Sequence, residues 1–241
     1  MSKKQHLILY NTFEHFIGKE SNPVLFSMRK LITHKQDMNL FYLYGESGVG
    51  KTHYGQAVVQ EALSLGKKAL YIRAEDMALD YSSHLRKQDM VRFRSKYNKL
   101  DILVIDELEY LWSKEYTLSE FYYLVSKRNE KGKITIFLSK KYLGKSTFFF
   151  DVRNLLISSV TVQVNRLNKE EKEVFIRERS SFYNLTLSED SIDYLVKEFS
   201  PNLHHLDGFF KTLVVYNESN MKTITIDKKM LKVIYDKAVM K

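Results

Sequence analysis

Cysteine is absent from the 241 residues, and proline occurs only twice. The lack of cysteine excludes a disulfide framework, thiolate metal sites and cysteine nucleophiles, and it predicts a reducing, cytoplasmic setting. Two prolines and nine glycines exclude collagen-like sequences and proline-rich linkers. No apolar run approaches the roughly 18 residues that a membrane helix requires, so we expect no membrane span.

Positive charge is in excess. The chain has 38 lysines and arginines against 29 aspartates and glutamates, a formal net charge of +9. This balance favours an acidic partner such as nucleic acid, although a lysine-rich soluble surface would give the same count. Hydrophobic residues make up 44% of the chain and aromatic residues 13%, which is enough for a folded core and argues against disorder.

Short apolar runs alternate with helical patterns in the first part of the chain. The runs are bounded by glycine or polar residues, as buried strands are. The predicted strands are residues 39–44, 68–73, 101–105, 134–138 and 160–164, and the predicted helices are 52–65, 75–97 (as one or two helices) and 117–129. This alternation predicts an α/β fold with a parallel sheet and right-handed crossovers.

The pattern changes after Asn165. Helical patterns follow at 169–182, 189–199 and 203–216, then a brief extended piece at 223–226 and a last helix toward the C-terminus. We therefore predict two domains, an α/β core over residues 1–165 and a smaller helical domain over residues 166–241.

A glycine-rich loop follows the first predicted strand. Residues 45–52 read GESGVGKT and fit the pattern G-x-x-x-x-G-K-[ST]. Glycines let backbone N–H groups turn toward phosphate oxygens, and the next helix points its positive end at them. In this motif Lys51 neutralises the β- and γ-phosphates, and Thr52 offers a hydroxyl to Mg²⁺. The loop predicts an ATP or ADP site; a plain glycine turn is the alternative.

Two carboxylates end the third predicted strand. Asp106 and Glu107 follow the apolar run 101–105. In this position Asp106 would hold Mg²⁺ through its water shell, and Glu107 would orient and deprotonate the attacking water. The alternative is that two acids merely end a strand.

In this order, the motifs resemble the ATPase domain of the bacterial replication initiator DnaA and its shorter paralogue Hda, which are AAA+ proteins. The likeness covers nearly the whole chain. It includes a lead-in segment before the first strand, at residues 12–17 and 21–22, and the glycine-rich loop extended to His53. It also includes residues 71–75 and residues 114–121. The resemblance implies a P-loop AAA+ core of three αβα layers with a parallel five-stranded sheet, followed by a helical lid domain. It also implies bound ATP or ADP with Mg²⁺, and a part in the initiation of DNA replication or its regulation.

The resemblance assigns site residues by position. The nucleotide contacts it implies are Ile17, Asn22, Gly45, Gly48, Val49, Gly50, Lys51, Thr52, His53 and His204. The catalytic residues it implies are Lys51, Asp106, Glu107 and Ser139. The metal-binding residues it implies are Thr52 and Asp106.

Segment 75–97 corresponds to the extra helix that initiators and helicase loaders turn toward single-stranded DNA. Cations on such a helix could neutralise backbone phosphates, and a solvated helix face is the alternative. The candidate DNA-binding residues are Arg86, Lys87, Arg92, Lys114 and Thr117, with Arg94 and Lys96 in the same segment.

Several positions depart from DnaA and bear on hydrolysis. Ser139-Lys140 replaces Ser-Asp after the fourth strand, which leaves Ser139 alone to sense the γ-phosphate. Leu155 stands where DnaA presents an arginine to a neighbour's nucleotide, and Arg153 could substitute only if the loop shifts. His204 replaces the arginine of the lid, or is an ordinary lid residue. Because an arginine acting in trans is worth several powers of ten in turnover, we predict nucleotide binding with slow hydrolysis.

The expected partners are single-stranded DNA and a replication protein, which could be DnaA, the sliding clamp or the replicative helicase. Self-assembly with a second copy of this chain is also expected. We expect no duplex reading, since no residues remain for the helix-turn-helix domain of DnaA. Residues 5–10 (QHLILY) loosely fit a clamp-binding peptide, or a first strand or disordered lead. The alternatives are a DnaC-like helicase loader or transposition helper ATPase, and a nucleotide-insensitive adaptor.

Overall fold

The computed structural model describes residues 7–8, 10–33, 38–113, 115–142, 150–200, 202–219 and 225–239. The chain divides into two compact units. The first comprises Met1–Phe16, Pro23–Glu46 and Gly50–Val164, and the second comprises Ile17–Asn22, Ser47–Val49 and Asn165–Lys241.

A five-stranded parallel sheet forms the centre of the first unit. Its strands are β1 (Leu40–Tyr44), β2 (Ala69–Arg73), β3 (Ile102–Asp106), β4 (Ile134–Ser139) and β5 (Val160–Gln163). The strands lie in the order β2-β3-β4-β1-β5, and every neighbouring pair is parallel. The predicted sheet is confirmed. This order places the carboxyl ends of β3, β4 and β1 side by side, although the strands are far apart in sequence.

Helices cover both faces of this sheet. They are α1 (Pro23–Thr33), α2 (Lys51–Ser64), α3 (Ala74–Arg86), α4 (Met90–Asn98), a 3₁₀ helix (Leu108–Ser113), α5 (Glu115–Glu130) and α6 (Phe150–Ile157). In β3, Leu103 and Ile105 belong to the apolar cluster formed with α3, α4 and α5. Val104 points to the opposite face, toward α2. Burial on both faces explains why β3 is apolar throughout.

Gly55 lets α2 lie close to the sheet. A Cβ at this position would stand 2.6 Å from Cδ1 of Leu138 in β4 and 2.9 Å from Cγ1 of Val104. Both distances are shorter than carbon atoms tolerate, so a larger residue would push α2 away. The spacing between α2 and the sheet therefore depends on this glycine.

Segment 75–97 forms two helices rather than one. Gln88 adopts a φ of 54°, in the left-handed region, between the end of α3 and the start of α4. Helices α1 and α6 were not predicted. Pro23 occupies the first position of α1, where proline is a common start signal.

The described part of the second unit is built from α7 (Lys169–Phe182), α8 (Glu189–Glu198), α9 (Leu203–Ser219) and α10 (Lys228–Val239). Their apolar faces share a core that includes Ile176, Leu195, Leu206 and Phe210. Of the predicted extended piece 223–226, residues 223–224 lie outside the described residues, and Ile226 forms a single bridge to Leu187.

A capping box starts α7. The Asn168 side chain accepts a hydrogen bond from the Glu171 N–H at 2.8 Å, and the Glu171 carboxylate accepts one from the Asn168 N–H at 3.2 Å. The same carboxylate accepts hydrogen bonds from the backbone N–H groups of Glu20 and Ser21, at 2.8 and 3.1 Å. Glu171 therefore joins the segment Ile17–Asn22 to α7. In the described part of the chain, no helix is long and apolar enough to cross a membrane.

Candidate nucleotide site

The predicted phosphate loop runs from the end of β1 to the start of α2. Gly48 and Gly50 have φ values of 77° and 99°, a conformation that residues with a Cβ rarely adopt. The Gly45 N–H donates a hydrogen bond of 3.2 Å to the Ser139 carbonyl at the end of β4. The loop therefore starts against β4 and bends at its two later glycines.

Lys51 folds back over this loop. Its Nζ donates hydrogen bonds of 2.6 Å to the carbonyl oxygens of Gly45 and Glu46. Burial lowers the pKa of Lys51, while the negative charges of Asp106 and Glu109 act in the opposite direction. The amine thus stands at the loop, and phosphate oxygens would replace the two carbonyls as its acceptors.

Asp106, the last residue of β3, gathers three donors. Its Oδ2 accepts hydrogen bonds from the Thr52 and Tyr71 hydroxyls, both at 2.7 Å, and its Oδ1 accepts one from the Glu107 N–H at 2.7 Å. Burial raises the pKa of Tyr71, and the neighbouring Asp106 charge adds to this, so the phenol remains a donor.

The donor set around Asp106 fits Mg²⁺. A hydroxyl and a carboxylate lie next to each other, and Mg²⁺ prefers a few oxygen ligands completed by phosphate and water. No group of three or more His, Asp or Glu side chains that could hold a metal ion occurs in the described part of the chain. Thr52 and Asp106 would therefore hold the ion only together with a phosphate group.

Glu107 is exposed and directly follows Asp106. Its φ of 56° is unusual for a residue with a Cβ, and such backbone conformations are concentrated at functional sites. The side chain lies free of the Asp106 hydrogen bonds, which use only the Glu107 backbone N–H.

Ser139, at the end of β4, is bonded to a carboxylate that was not predicted from the sequence. Its Oγ donates a hydrogen bond of 3.0 Å to Glu109 Oε2, which also accepts the Lys140 N–H at 3.2 Å. The Ser139 Oγ in turn accepts the Lys141 N–H at 3.2 Å. Tyr71 was not predicted either. Tyr71 lies in the segment 71–75 that carries the resemblance, but nothing there assigned it to the site, and Glu109 belongs to the 3₁₀ helix after β3. Tertiary packing alone brings the two side chains to Asp106 and Ser139.

The second unit holds the remaining nucleotide-site candidates, Ile17, Asn22, Gly48, Val49 and His204. The Asn22 side chain accepts the Asn165 N–H at 2.7 Å and donates to the Asn165 carbonyl at 3.2 Å. Ile17 packs against the apolar core of this unit. The His204 side chain is exposed, whereas Val49 is buried.

The start of α9 contacts the phosphate loop within this unit. The Leu203 N–H donates a hydrogen bond of 3.0 Å to the Gly48 carbonyl. The Asn202 side chain accepts the His204 N–H at 2.9 Å and so caps α9. A Cβ on Gly48 would stand 1.9 Å from Asn202 Oδ1. Asn202 was not predicted from the sequence as a residue that contacts the phosphate loop.

His53 connects α2 to the lead-in segment. Its Nε2 lies 2.8 Å from the Thr12 carbonyl, and its ring meets Phe16 edge-on at a centroid distance of 5.4 Å. The observed contacts of this predicted nucleotide residue thus fix the chain before α1.

The proposed clamp peptide 5–10 is only partly described, because residues 5, 6 and 9 lie outside the described residues. Tyr10 is buried and stacks on His15 at a centroid distance of 4.2 Å. The Ile8 N–H donates a hydrogen bond of 2.9 Å to the Gln56 side chain. Docking of Tyr10 on a clamp would require these contacts to break.

The DNA-binding candidates differ in their surroundings. Arg86 and Lys87 are exposed at the end of α3, and neither is ion-paired within the described residues. Arg92 is 84% exposed and lies 3.4 Å from Asp89. Thr117 is half-buried and lines a small cavity of ≈ 10 Å³ with Tyr81 among its other residues. Lys114 lies outside the described residues.

The other two cations of this segment have internal partners. Arg94 donates two hydrogen bonds of 2.8 Å to the Glu120 carboxylate, and Lys96 lies 2.7 Å from Asp80. This bidentate ion pair holds the Arg94 side chain against α5. Within the described part of this segment, only the end of α3 and Arg92 therefore retain the character of a phosphate-binding surface.

Comparison with known sequences decides the family. The profile of the bacterial DnaA ATPase domain matches residues 7–154. This chain belongs to that family. It is 26% identical over 221 residues to the chromosomal replication initiator protein DnaA of Campylobacter jejuni, covering 90% of this chain and 50% of that protein. The chain thus spans about half the length of the curated DnaA relatives it matches.

Solved DnaA structures share the fold. Domain III of Thermotoga maritima DnaA matches with a TM-score of 0.87 and 23% identity, covering 96% of this chain and 98% of that one. A DnaA bound to AMPPCP and single-stranded DNA matches with a TM-score of 0.77 and 26% identity, covering 87% and 66%. The P-loop AAA+ architecture expected for a DnaA-family chain is confirmed.

The resemblance implied that Leu155 takes the place of an arginine of DnaA and that Arg153 could substitute for it. Leu155 packs against the core of the first unit. The side chain of Arg153, the possible substitute, lies outside what the structure describes.

Proposed function

We propose that this DnaA-family chain binds ATP or ADP with Mg²⁺ and acts in the initiation of DNA replication or its regulation. One observation carries the nucleotide site. Thr52 Oγ1 lies 2.7 Å from Asp106 Oδ2, next to a loop whose glycines adopt left-handed conformations. A hydroxyl, a carboxylate and a glycine loop in this arrangement suit a metal-bound phosphate chain. A DnaA of similar fold has been solved with AMPPCP, which supports the same ligand class here.

Each polar group would then have a distinct part. Lys51 would neutralise phosphate oxygens, and Thr52 with Asp106 would hold Mg²⁺. Glu107, whose side chain is exposed, would orient the attacking water. Ser139 would donate its hydroxyl to the γ-phosphate. Mg²⁺ would supply charge neutralisation between the phosphates.

The test is titration calorimetry of the whole chain with ATP and ADP, with Mg²⁺ and with EDTA. We expect Lys51→Met to weaken binding by about 100-fold, because two phosphates lose a charged donor. Lys99→Met is the matched control, since it removes one exposed lysine at the end of α4. Equal binding by both variants, or no binding by the native chain, would refute the nucleotide site.

We infer that hydrolysis is slow. Leu155 at the arginine position cannot stabilise charge on a neighbour's nucleotide, and an arginine there is worth about 10³–10⁵ in turnover. A brisk ATPase that Arg153→Ala abolishes would contradict this inference. We also keep the prediction of a cytoplasmic location, which rests on the absence of cysteine.

Single-stranded DNA is the partner we propose for the end of α3. Arg86 and Lys87 are exposed neighbours and free of carboxylate partners within the described residues. Adjacent cations of this kind neutralise backbone phosphates in a salt-dependent way. The DnaA solved with single-stranded DNA supports the same class of ligand.

Charge reversal tests this surface. With Arg86→Glu and Lys87→Glu together, we expect weaker binding of labelled single strands. The slope of log affinity against log salt should become less steep by about 1.4, or about 0.7 for each lost phosphate contact. Lys228→Glu with Lys229→Glu is the control, an exposed lysine pair at the start of α10. If both double variants lose affinity equally, the α3 surface is not the binding site.

A further inference from the structure

Glu109 competes for the proton that Ser139 would offer to a nucleotide. The Ser139 hydroxyl has one proton, and in this structure it donates that proton to Glu109 Oε2 at 3.0 Å. The same hydroxyl oxygen accepts one hydrogen bond, from the Lys141 N–H at 3.2 Å. A hydroxyl can donate only one hydrogen bond at a time, so Ser139 must leave Glu109 before it can donate to a phosphate oxygen.

Glu109 stands close to the phosphate-binding groups of the loop. Its partner Ser139 is bonded through its carbonyl to the Gly45 N–H at 3.2 Å. Its charge also acts on Lys51, together with that of Asp106. A carboxylate at this position repels an additional phosphate charge, because like charges in a partly buried site are poorly screened.

The second oxygen of Glu109 has a partner within reach. Glu109 Oε1 is buried and makes no hydrogen bond among the described residues. The Lys140 Nζ lies 3.9 Å from it, too far for a hydrogen bond and close enough for a small side-chain movement to form one. A carboxylate that released Ser139 could therefore pair with Lys140 instead.

We propose that Glu109 is a positioning residue that holds the Ser139 hydroxyl when no γ-phosphate is present, and so lowers the affinity for ATP relative to ADP. The proposal rests on the proposed nucleotide site. ADP leaves the Glu109–Ser139 bond intact. ATP must break this bond and must also place a further negative charge near the carboxylate. The residue thus sets which nucleotide the site favours.

The test measures dissociation constants of Mg·ATP and Mg·ADP by titration calorimetry. Glu109→Gln keeps the shape of the side chain but removes its charge, and a neutral acceptor holds the hydroxyl about half as strongly. We expect the affinity for ATP relative to ADP to rise about tenfold. Glu109→Ala, which removes both the charge and the bond, should shift the ratio in the same direction.

A double-mutant cycle with Ser139→Ala separates positioning from simple charge. If Glu109 acts through Ser139, Glu109→Gln should change the ratio about threefold or less once the hydroxyl is gone. Glu130→Gln is the charge-matched control, since it removes a carboxylate that is 59% exposed at the end of α5.

The outcomes are distinct. An unchanged ratio in both Glu109 variants, or an undiminished change in the Ser139→Ala background, would overturn the positioning role. Failure of the native chain to bind either nucleotide would instead refute the proposed nucleotide site. Thermal unfolding of each variant checks that its fold is retained.

Discussion

Replacing Gly48 with alanine tests the contact between the phosphate loop and α9. A Cβ at this position would stand 1.9 Å from Asn202 Oδ1, so the Asn202 side chain must move. Gly48 also has a φ of 77°, which an alanine adopts only under strain. Gly66→Ala is the matched control, since Gly66 has a φ of 73° and a Cβ added there would meet no atom within 4 Å.

The structure gives the expected magnitudes. Left-handed backbone costs a residue with a Cβ about 1–2 kcal/mol, and both variants have this cost. Displacement of Asn202 also removes the cap on the His204 N–H, which is worth about 1 kcal/mol. We therefore expect Gly48→Ala to destabilise the fold by about 1 kcal/mol more than Gly66→Ala does.

Amide hydrogen exchange is the suitable assay, because it reports local opening in a chain of two units. The N–H groups of Leu203 and His204 donate to Gly48 and Asn202, so their exchange reports this contact directly. We expect about fivefold faster exchange at His204 in Gly48→Ala than in Gly66→Ala, the factor for about 1 kcal/mol.

A compensating substitution completes the test. Asn202→Ala removes the atom that clashes, so the double variant with Gly48→Ala should be destabilised by less than the sum of the two single variants. Equal effects of Gly48→Ala and Gly66→Ala, or full additivity with Asn202→Ala, would show that the contact does not form in solution.

Three further substitutions test the fold. Arg128→Met should lower the urea midpoint, followed by Trp112 fluorescence, by the equivalent of about 3–5 kcal/mol. The reason is that Arg128 is fully buried and donates to three backbone carbonyls, each of which would lose this charged donor. A loss below about 1 kcal/mol would contradict this. Burial acts to raise the pKa of Asp80, but hydrogen bonds, led by that from Lys96, lower this pKa overall. The Asp80 carboxylate therefore stabilises the fold above about pH 4, and this stabilisation is lost as the pH falls through the lowered pKa. Asp80→Asn should therefore flatten the acid limb of the midpoint against pH, and an unchanged limb would argue against the ion pair. Gly55→Ala should cost about 1–3 kcal/mol by thermal unfolding, since its Cβ would press on the sheet, and a neutral effect would mean that α2 can shift freely.

Sequence motifs and hydrophobic patterns predicted most strands and helices of the first unit. The loop 45–52 predicted a strand before it and a helix after it, since a phosphate loop joins the two, and the acidic end of β3 predicted the carboxylates of the site. Strand–helix alternation then predicted a parallel sheet, and the observed order β2-β3-β4-β1-β5 agrees with it. The break between α3 and α4 stayed open in the sequence, because the left-handed Gln88 is neither glycine nor asparagine.

The hydrogen-bond partners of the motif residues could not be predicted from the sequence. Tyr71 bonds Asp106 across neighbouring strands β2 and β3. Glu109, in the 3₁₀ helix after β3, accepts the hydroxyl of Ser139 at the end of β4. These pairs are separated by 35 and 30 residues. Their contact depends on strand order and register, which apolar patterning leaves open. Likewise, nothing in the motif shows that Arg94 faces Glu120 rather than solvent.

The sequence by itself determined the family, the phosphate loop and the carboxylates that end β3, because these depend on residue types at fixed spacing along one segment. Tertiary structure alone decided which cations remain exposed, which carboxylate holds Ser139, and that Asn202 reaches Gly48. Each of these follows from segments distant in sequence being packed together, where the energy of a side chain depends on neighbours that its own segment does not specify.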